Sequence, residues 1–195
     1  MDFSANFRLL RQLDIRPLQQ RVELLHETDW QCDTGRQQRF SAHRETQTLA
    51  LLYDPDFRYT QPTRQPAFDR IAPELEPVLA TIAQNFPASG YPLRLLLVRL
   101  PAGGRIARHT DGGASLHFVH RLHLPVLTNA DALFTVGDET RHLAAGEVWE
   151  INNCRPHSVC NGGASTRVHL ILDWVTPALA QQFLQQLTLA RHLPA

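Results

Sequence analysis

The sequence has no charge excess: nineteen Lys and Arg side chains are matched by nineteen Asp and Glu across 195 residues. Without a net field there is little to gather DNA or an anionic membrane, so neither is expected as a partner. Long apolar runs are missing too, and none approaches the roughly 18 residues that a bilayer crossing needs. The opening MDFSANFRLLRQLD lacks the apolar stretch and small-residue cleavage site of a secretory leader, so the expected address is cytoplasmic. Cysteine is sparse and odd in number (Cys32, Cys154, Cys160), which argues against a disulfide framework. H-E-x-x-H, G-x-S-x-G, a phosphate-cradling glycine loop and a basic-aromatic stripe are all absent. No fixed-period repeat or low-complexity tract is present.

What remains is an ordinary globular composition, 43% hydrophobic and 19% charged. The length suits one domain spanning 1–195 with a substantial core. Residues 1–90 read as a supporting region. One or two short helices are expected in the first thirty residues, then a strand through Thr46–Tyr53 and a proline-bearing loop in YTQPTRQPAF. From Pro73 onward Leu75, Val78, Leu79, Ile82 and Phe86 recur at helical spacing, with Pro73 in the first turn and Pro77 as a kink. Seven short β-rich runs fill residues 91–176, separated by Gly, Asn, Asp and Pro, and fit a small sandwich or barrel. A closing helix over 177–191 is capped by Thr176, starts at Pro177, and turns Leu179, Phe183, Leu184 and Leu187 inward. The fold class is mainly β with flanking helices (α+β).

Chemistry concentrates in the β part. RIARHTDGGASLHFVHRLHLPV, residues 105–126, holds four of the ten histidines. A pH sensor, a zinc site and an oxidising iron site all use such residues. His109 and Asp111 are two apart, so on a strand both point to one side. Alone the pair means little, and an exposed strand end explains it as well. GEVWEINNCRPHSVCNGGASTRVHLILD then supplies His157 at the start of one strand and Arg167 on the next. Two imidazoles and a carboxylate cover one face of an octahedral metal and leave three positions open, as non-haem Fe(II) oxygenases require. A 2-oxo acid and O2 would fill those positions, and Arg167 offers a planar fork for the distal carboxylate of such a cosubstrate.

HTD at 109–111, RLH at 121–123, GEVW at 146–149, HSVCN at 157–161 and Arg167 together resemble the aspartyl/asparaginyl β-hydroxylase family of Fe(II)/2-oxoglutarate oxygenases, which includes the microbial proline hydroxylases. FSAHRETQTLALL is a looser echo of an N-terminal strand of those enzymes. The resemblance implies a double-stranded β-helix (a jelly-roll, cupin-like core). It implies His109, Asp111 and His157 as Fe(II) ligands, Arg167 as the 2-oxoglutarate anchor, and O2 as the oxidant. It also places Arg121 and His123 near the carboxylates: His123 is expected to assist 2-oxoglutarate binding, and Arg121 to receive an acidic group of the substrate. The alternative for both is a structural ion-pair network. Certain relatives carry a serine on the strand before the H-x-D, where this chain has Val98 and Arg99.

The resulting expectation is a hydroxylase that converts 2-oxoglutarate to succinate and CO2 while hydroxylating an unactivated C–H. Its substrate is expected to be a free amino acid, or an aspartyl, asparaginyl or prolyl residue in a peptide. Rival classes are a cupin-like metalloenzyme that uses no oxo acid and a non-catalytic β-barrel binding module. Cys154 and Cys160 flank His157 and suggest zinc, but structural zinc favours cysteines two to four residues apart. His117 and His120 are expected as solvated residues beside the mouth. His169 either backs the site or is a satisfied core histidine, and Trp149 is expected in the core.

Overall fold

The structure, a computed structural model, describes residues 4–31, 35–54, 62–87, 89–111 and 114–191, without the side chains of 36, 114 and 187–191; Cys32 lies outside them. Ten strands follow one another: β1 (Phe7–Gln12), β2 (Gln47–Leu52), β3 (Tyr91–Leu100), β4 (Arg105–His109), β5 (His120–Leu127), β6 (Ala132–Val136), β7 (Glu139–His142), β8 (Glu147–Ile151), β9 (His157–Asn161) and β10 (Arg167–Val175). They form two antiparallel sheets, ordered β1-β8-β5-β10-β3-β2 and β4-β9-β6-β7. The eight strands β3–β10 make up the double-stranded β-helix, and β1 and β2 extend the larger sheet at its two edges.

The run ALFTVGDET, expected as one strand, is two. Val136 pairs with Glu139 across a two-residue turn. Gly137 there takes φ +61°, as a tight hairpin needs, and a Cβ on it would meet Asn6 Oδ1 at 2.9 Å. That turn makes the β core eight strands rather than seven. In the first thirty residues, β1 accompanies the two expected helices, α1 (Arg16–Glu23) and α2 (Glu27–Gln31). Its exposure pattern shows no clean alternation, because an edge strand is only partly covered.

A short α3 (Gly35–Arg39) and a 3-10 turn (Ser41–His43) lead into β2. The next helix, α4, runs unbroken from Pro66 to Ala83, seven residues earlier than expected. Pro66 takes the first turn, where its missing N–H costs nothing. Pro73 and Pro77 therefore lie in the interior of α4, both exposed. On the solvent side water can satisfy the carbonyls they leave unbonded, and no break results at Pro77. The last helix, α5 (Pro177–Arg191), is capped as expected, with the Leu179 amide reaching Thr176 Oγ1 at 3.4 Å. Leu179 and Phe183 are buried, whereas Leu184 faces solvent; the Leu187 side chain lies outside those described.

Helices α1, α2 and α4 cover the outer face of the larger sheet. Leu18, Val22, Trp30, Ile71, Leu75 and Ile82 meet Leu95, Leu97, Leu122, Leu124, Leu170 and Leu172 in one apolar cluster. Each such leucine contributes about 1.5–3 kcal/mol of burial. A second cluster, including Phe7, Leu100, Ile106, Phe134, Trp149 and Val159, packs between the two sheets. Trp149 belongs to it, as expected. The remaining inner surface mixes apolar residues, Leu96, Val98 and Ile171 among them, with charged and polar ones, and the site forms there.

Candidate active site

His109 ends β4 and His157 begins β9. The register pairs them directly across the small sheet, with ring centroids 4.3 Å apart. Asp111 lies two residues past the end of β4, so strand alternation alone does not aim it. Its amide donates to Asn153 O at 3.4 Å, and Arg121 Nη1 donates to its Oδ2 at 2.6 Å. His109 Nε2 is 3.9 Å from Asp111 Oδ1, and His157 Nε2 is 3.9 Å from Oδ2. One ligand atom from each of the three residues lies within 4.8 Å of the others, the only such group of three or more among the described residues.

The imidazoles are prepared as donors. His109 Nδ1 contacts Ala107 O at 2.7 Å, and His157 Nδ1 contacts Arg155 O at 2.9 Å. A carbonyl can only accept, so each Nδ1 carries the proton and each Nε2 keeps its lone pair for a metal. Burial pulls the His157 pKa below the usual imidazole range, against the opposing attraction of Asp111. The donor set of two imidazoles and a carboxylate fits Fe(II).

Arg121 sits in an ion-pair network, the alternative stated for it. Its Nε and Nη2 fork onto Asp173 at 2.5 and 3.0 Å, while Nη1 holds Asp111. Asp173 Oδ2 also takes Arg94 Nε at 2.7 Å, and Arg94 Nη2 reaches Ser115 Oγ at 3.2 Å. The two carboxylates keep the buried Arg121 charged despite its desolvation. Arg94 and Asp173 were not singled out from the sequence. A lone charge in each aliphatic strand, LRLLL and LILDWV, was the available signal.

Arg167, at the start of β10, is 2% exposed, and its guanidinium carbon lies 5.9 Å from the Phe134 ring centroid. Among the described residues no carboxylate pairs with it; its one hydrogen-bond partner is His169 Nδ1 at 2.7 Å. Burial alone draws its pKa down to about 9, which still leaves it charged at neutral pH. Burial, then the Arg167 charge, hold His169 far below the usual imidazole range, so its neutral ring accepts from Arg167. Phe134 stacks on His157 on one side and meets His123 edge-on at 5.0 Å. His123 thus lies in the Arg167–His169–Phe134 group.

A cavity of about 690 Å³ opens onto His109 and Asp111, walled in part by Arg94, Arg121, Phe40 and His43. The N-terminal segment therefore reaches the site: His43 is buried with its ring edge-on to His109 at 4.8 Å. Of the other histidines, His117 is exposed and lies 3.3 Å from Cys154 Sγ. His120 is not solvated as expected: its Nδ1 meets the fully buried Glu150 at 2.7 Å. Arg99 points away from the site, pairing with Glu27 and Gln47.

The family model for aspartyl/asparaginyl beta-hydroxylases matches residues 33–177, most of the chain and every element of the site. The chain belongs to this family. An L-proline cis-4-hydroxylase from Rhizobium meliloti is 30% identical over 89 residues, covering 46% of this chain and 32% of the relative. The match thus spans about a third of that relative's length. A solved 2OG-Fe(II) oxygenase family protein from Burkholderia pseudomallei superposes with TM-score 0.53 at 17% identity, covering 68% of this chain and 69% of its own. A Pseudomonas putida prolyl-4-hydroxylase gives 0.52 at 12% identity over 88% and 93%. Both carry the fold of this family member. No helix among the described residues is long and apolar enough to cross a membrane.

Proposed function

We propose that this family member is an Fe(II)- and 2-oxoglutarate-dependent hydroxylase, acting on a free amino acid or on a prolyl, aspartyl or asparaginyl residue in a peptide. The observation that carries the proposal is Arg167: a buried guanidinium without a carboxylate partner among the described residues, one aromatic ring away from His157. An unpaired buried charge is costly, and an anion arriving from outside relieves that cost. The distal carboxylate of 2-oxoglutarate fits that role through a charge-assisted fork. The L-proline cis-4-hydroxylase relative supports proline among the candidate substrates.

In this scheme His109, Asp111 and His157 hold Fe(II), which when bound supplies O2 activation coupled to conversion of 2-oxoglutarate to succinate and CO2. His169 keeps Arg167 oriented, and the Phe134 ring lies between Arg167 and His157. His123, edge-on to Phe134 and His169, assists cosubstrate binding in this scheme. Arg121 keeps two N–H groups beyond its three bonds, and with Arg94 it gives the cavity wall a polarity suited to an acidic group of the substrate.

A screen of the Fe(II)-loaded protein with 2-oxoglutarate against free amino acids, proline included, and short prolyl, aspartyl and asparaginyl peptides tests the proposal. Substrate-stimulated succinate with a gain of one oxygen in the product is expected. Adding 2-oxoglutarate to the anaerobic Fe(II) protein should produce a visible charge-transfer band; its absence would favour the metalloenzyme or binding-module classes and overturn the proposal.

A further inference from the structure

The described residues that wall the cavity include His109 and Asp111 but neither His157 nor Arg167. The proposed cosubstrate anchor is therefore not on it, and the cavity is left to the substrate. At about 690 Å³ it falls in the range, about 300–1,000 Å³, that holds drug-sized ligands. A free amino acid would fill only part of it. Beside Asp111, the guanidinium groups of Arg94 and Arg121 face the carboxylates of Asp111 and Asp173, so this part of the wall offers N–H groups with little net charge. Leu96, Leu116, Ile171 and Phe183 form a buried apolar part. The exposed part includes Arg39, which ends α3, and Phe40, which follows it and is 42% exposed. Of the arginines on the wall, Arg39 is the one without a carboxylate partner among the described residues. The Phe40 carbonyl accepts from the His43 amide at 3.0 Å, and the His43 ring is edge-on to Phe40 at 6.3 Å and to His109 at 4.8 Å. Phe40 is thus held one imidazole away from a proposed metal ligand, with Arg39 next to it in the chain.

We infer that Arg39 and Phe40 are specificity-determining residues for a substrate longer than a free amino acid. Beyond the reacting residue, that substrate carries an apolar segment and then an acidic group. An exposed aromatic ring on a ligand cavity gains when an apolar segment covers it, roughly in proportion to the area removed from water. The guanidinium beside it takes a carboxylate through a charge-assisted fork. A peptide with an apolar and then an acidic residue has this chemistry. So does an amino acid whose N-acyl chain ends in a carboxylate. The reacting end of the substrate rests on the hydroxylase proposal above; the contacts at Arg39 and Phe40 do not.

The test compares matched ligands on the purified full chain. They are free proline, aspartate and asparagine, peptides placing the same residues beside Leu-Glu or Leu-Gln, and N-acyl forms with and without a terminal carboxylate. Affinity is read by calorimetry on the anaerobic protein with Fe(II) and 2-oxoglutarate, and turnover by product mass. An elongated acid should bind about 10-fold more tightly than its free amino acid, the yield of roughly two buried methylenes, and the arm that does so identifies the source. Phe40→Ala should remove most of that gain. Arg39→Gln should abolish the preference for Glu over Gln, about two- to fivefold for an exposed pair. Arg16→Gln, on α1 at the outer face, should keep that preference, which separates a local contact from net charge. Should Phe40→Ala fail to fold, the Arg39→Gln comparison decides. Equal affinity for free and elongated ligands, or wild-type binding of elongated acids by both variants, overturns the inference. Elongated acids that bind through Arg39 and Phe40 but gain no oxygen would uphold it and overturn the hydroxylase proposal; turnover of free amino acids alone would do the reverse.

Discussion

The two faces of β10 are equally buried and chemically opposite. Val168, Leu170, Leu172 and Trp174 face the helices, whereas Arg167, His169, Ile171 and Asp173 face the barrel interior, and all nine residues of the strand are buried. The neighbouring strand β5 divides the same way, with Leu122, Leu124 and Val126 outward and Arg121 and His123 inward. Burial therefore says nothing about which face works. The helix-packed face removes apolar area from water and needs no partners. The inner face holds charges that persist only because each is answered: Arg121 and Arg94 by Asp173 and Asp111, and Arg167, on the present proposal, by a cosubstrate.

That contrast is open to direct attack. The largest effect is expected from His157→Ala, which removes a proposed metal ligand from the inner face. Succinate formation should fall to background while thermal stability stays close to wild type; retained turnover would break the assignment. Next come paired substitutions three residues apart on β10. Leu170→Ala, on the outer face, should cost about 2–5 kcal/mol in urea unfolding, with turnover per folded molecule unchanged. Arg167→Met should instead leave the metal-free protein as stable as wild type or more so, and weaken 2-oxoglutarate binding by about 2–5 kcal/mol. Equal destabilisation by both would mean that the inner face is simply core.

The smallest effect is one of pH. Burial keeps His157 and His169 neutral in the folded metal-free chain, with pKa values below the imidazole norm, whereas the unfolded chain takes up protons near pH 6.5. Below that pH the unfolded state binds more protons, so stability is full above about 6.5 and declines on acidification. Each tenfold difference in proton affinity is worth about 1.4 kcal/mol. His169→Gln should flatten the fall in melting temperature between neutral pH and pH 5. A profile as steep as wild type would show that His169 is not a source of it.

Much of this was legible from residues alone, and the misses have physical causes. HTD, HSVCN and Arg167 stood out because histidine, aspartate and arginine are expensive inside β-rich runs. Helix α4 began earlier than expected because prolines on a solvent-facing side do not break a helix whose opposite side is firmly packed. β1 escaped notice because an edge strand with one partner, β8, needs little alternation. Arg94 and Asp173 escaped because their meaning depends on register, which brings residues about eighty apart in the chain into a direct pair.

The residue order by itself determined the chemical inventory: which strands carry charges, that imidazoles and a carboxylate recur at strand-like spacing, and that no net field or spanning run competes with that reading. Only the tertiary structure decided who answers whom. It gave the Arg121 fork to Asp173, left Arg167 without a carboxylate among the described residues, and brought the N-terminal His43 against His109. Such pairings are set by strand register and by the closure of two sheets on one interior. Those are properties of the folded surface as a whole, and no local stretch of chain encodes them.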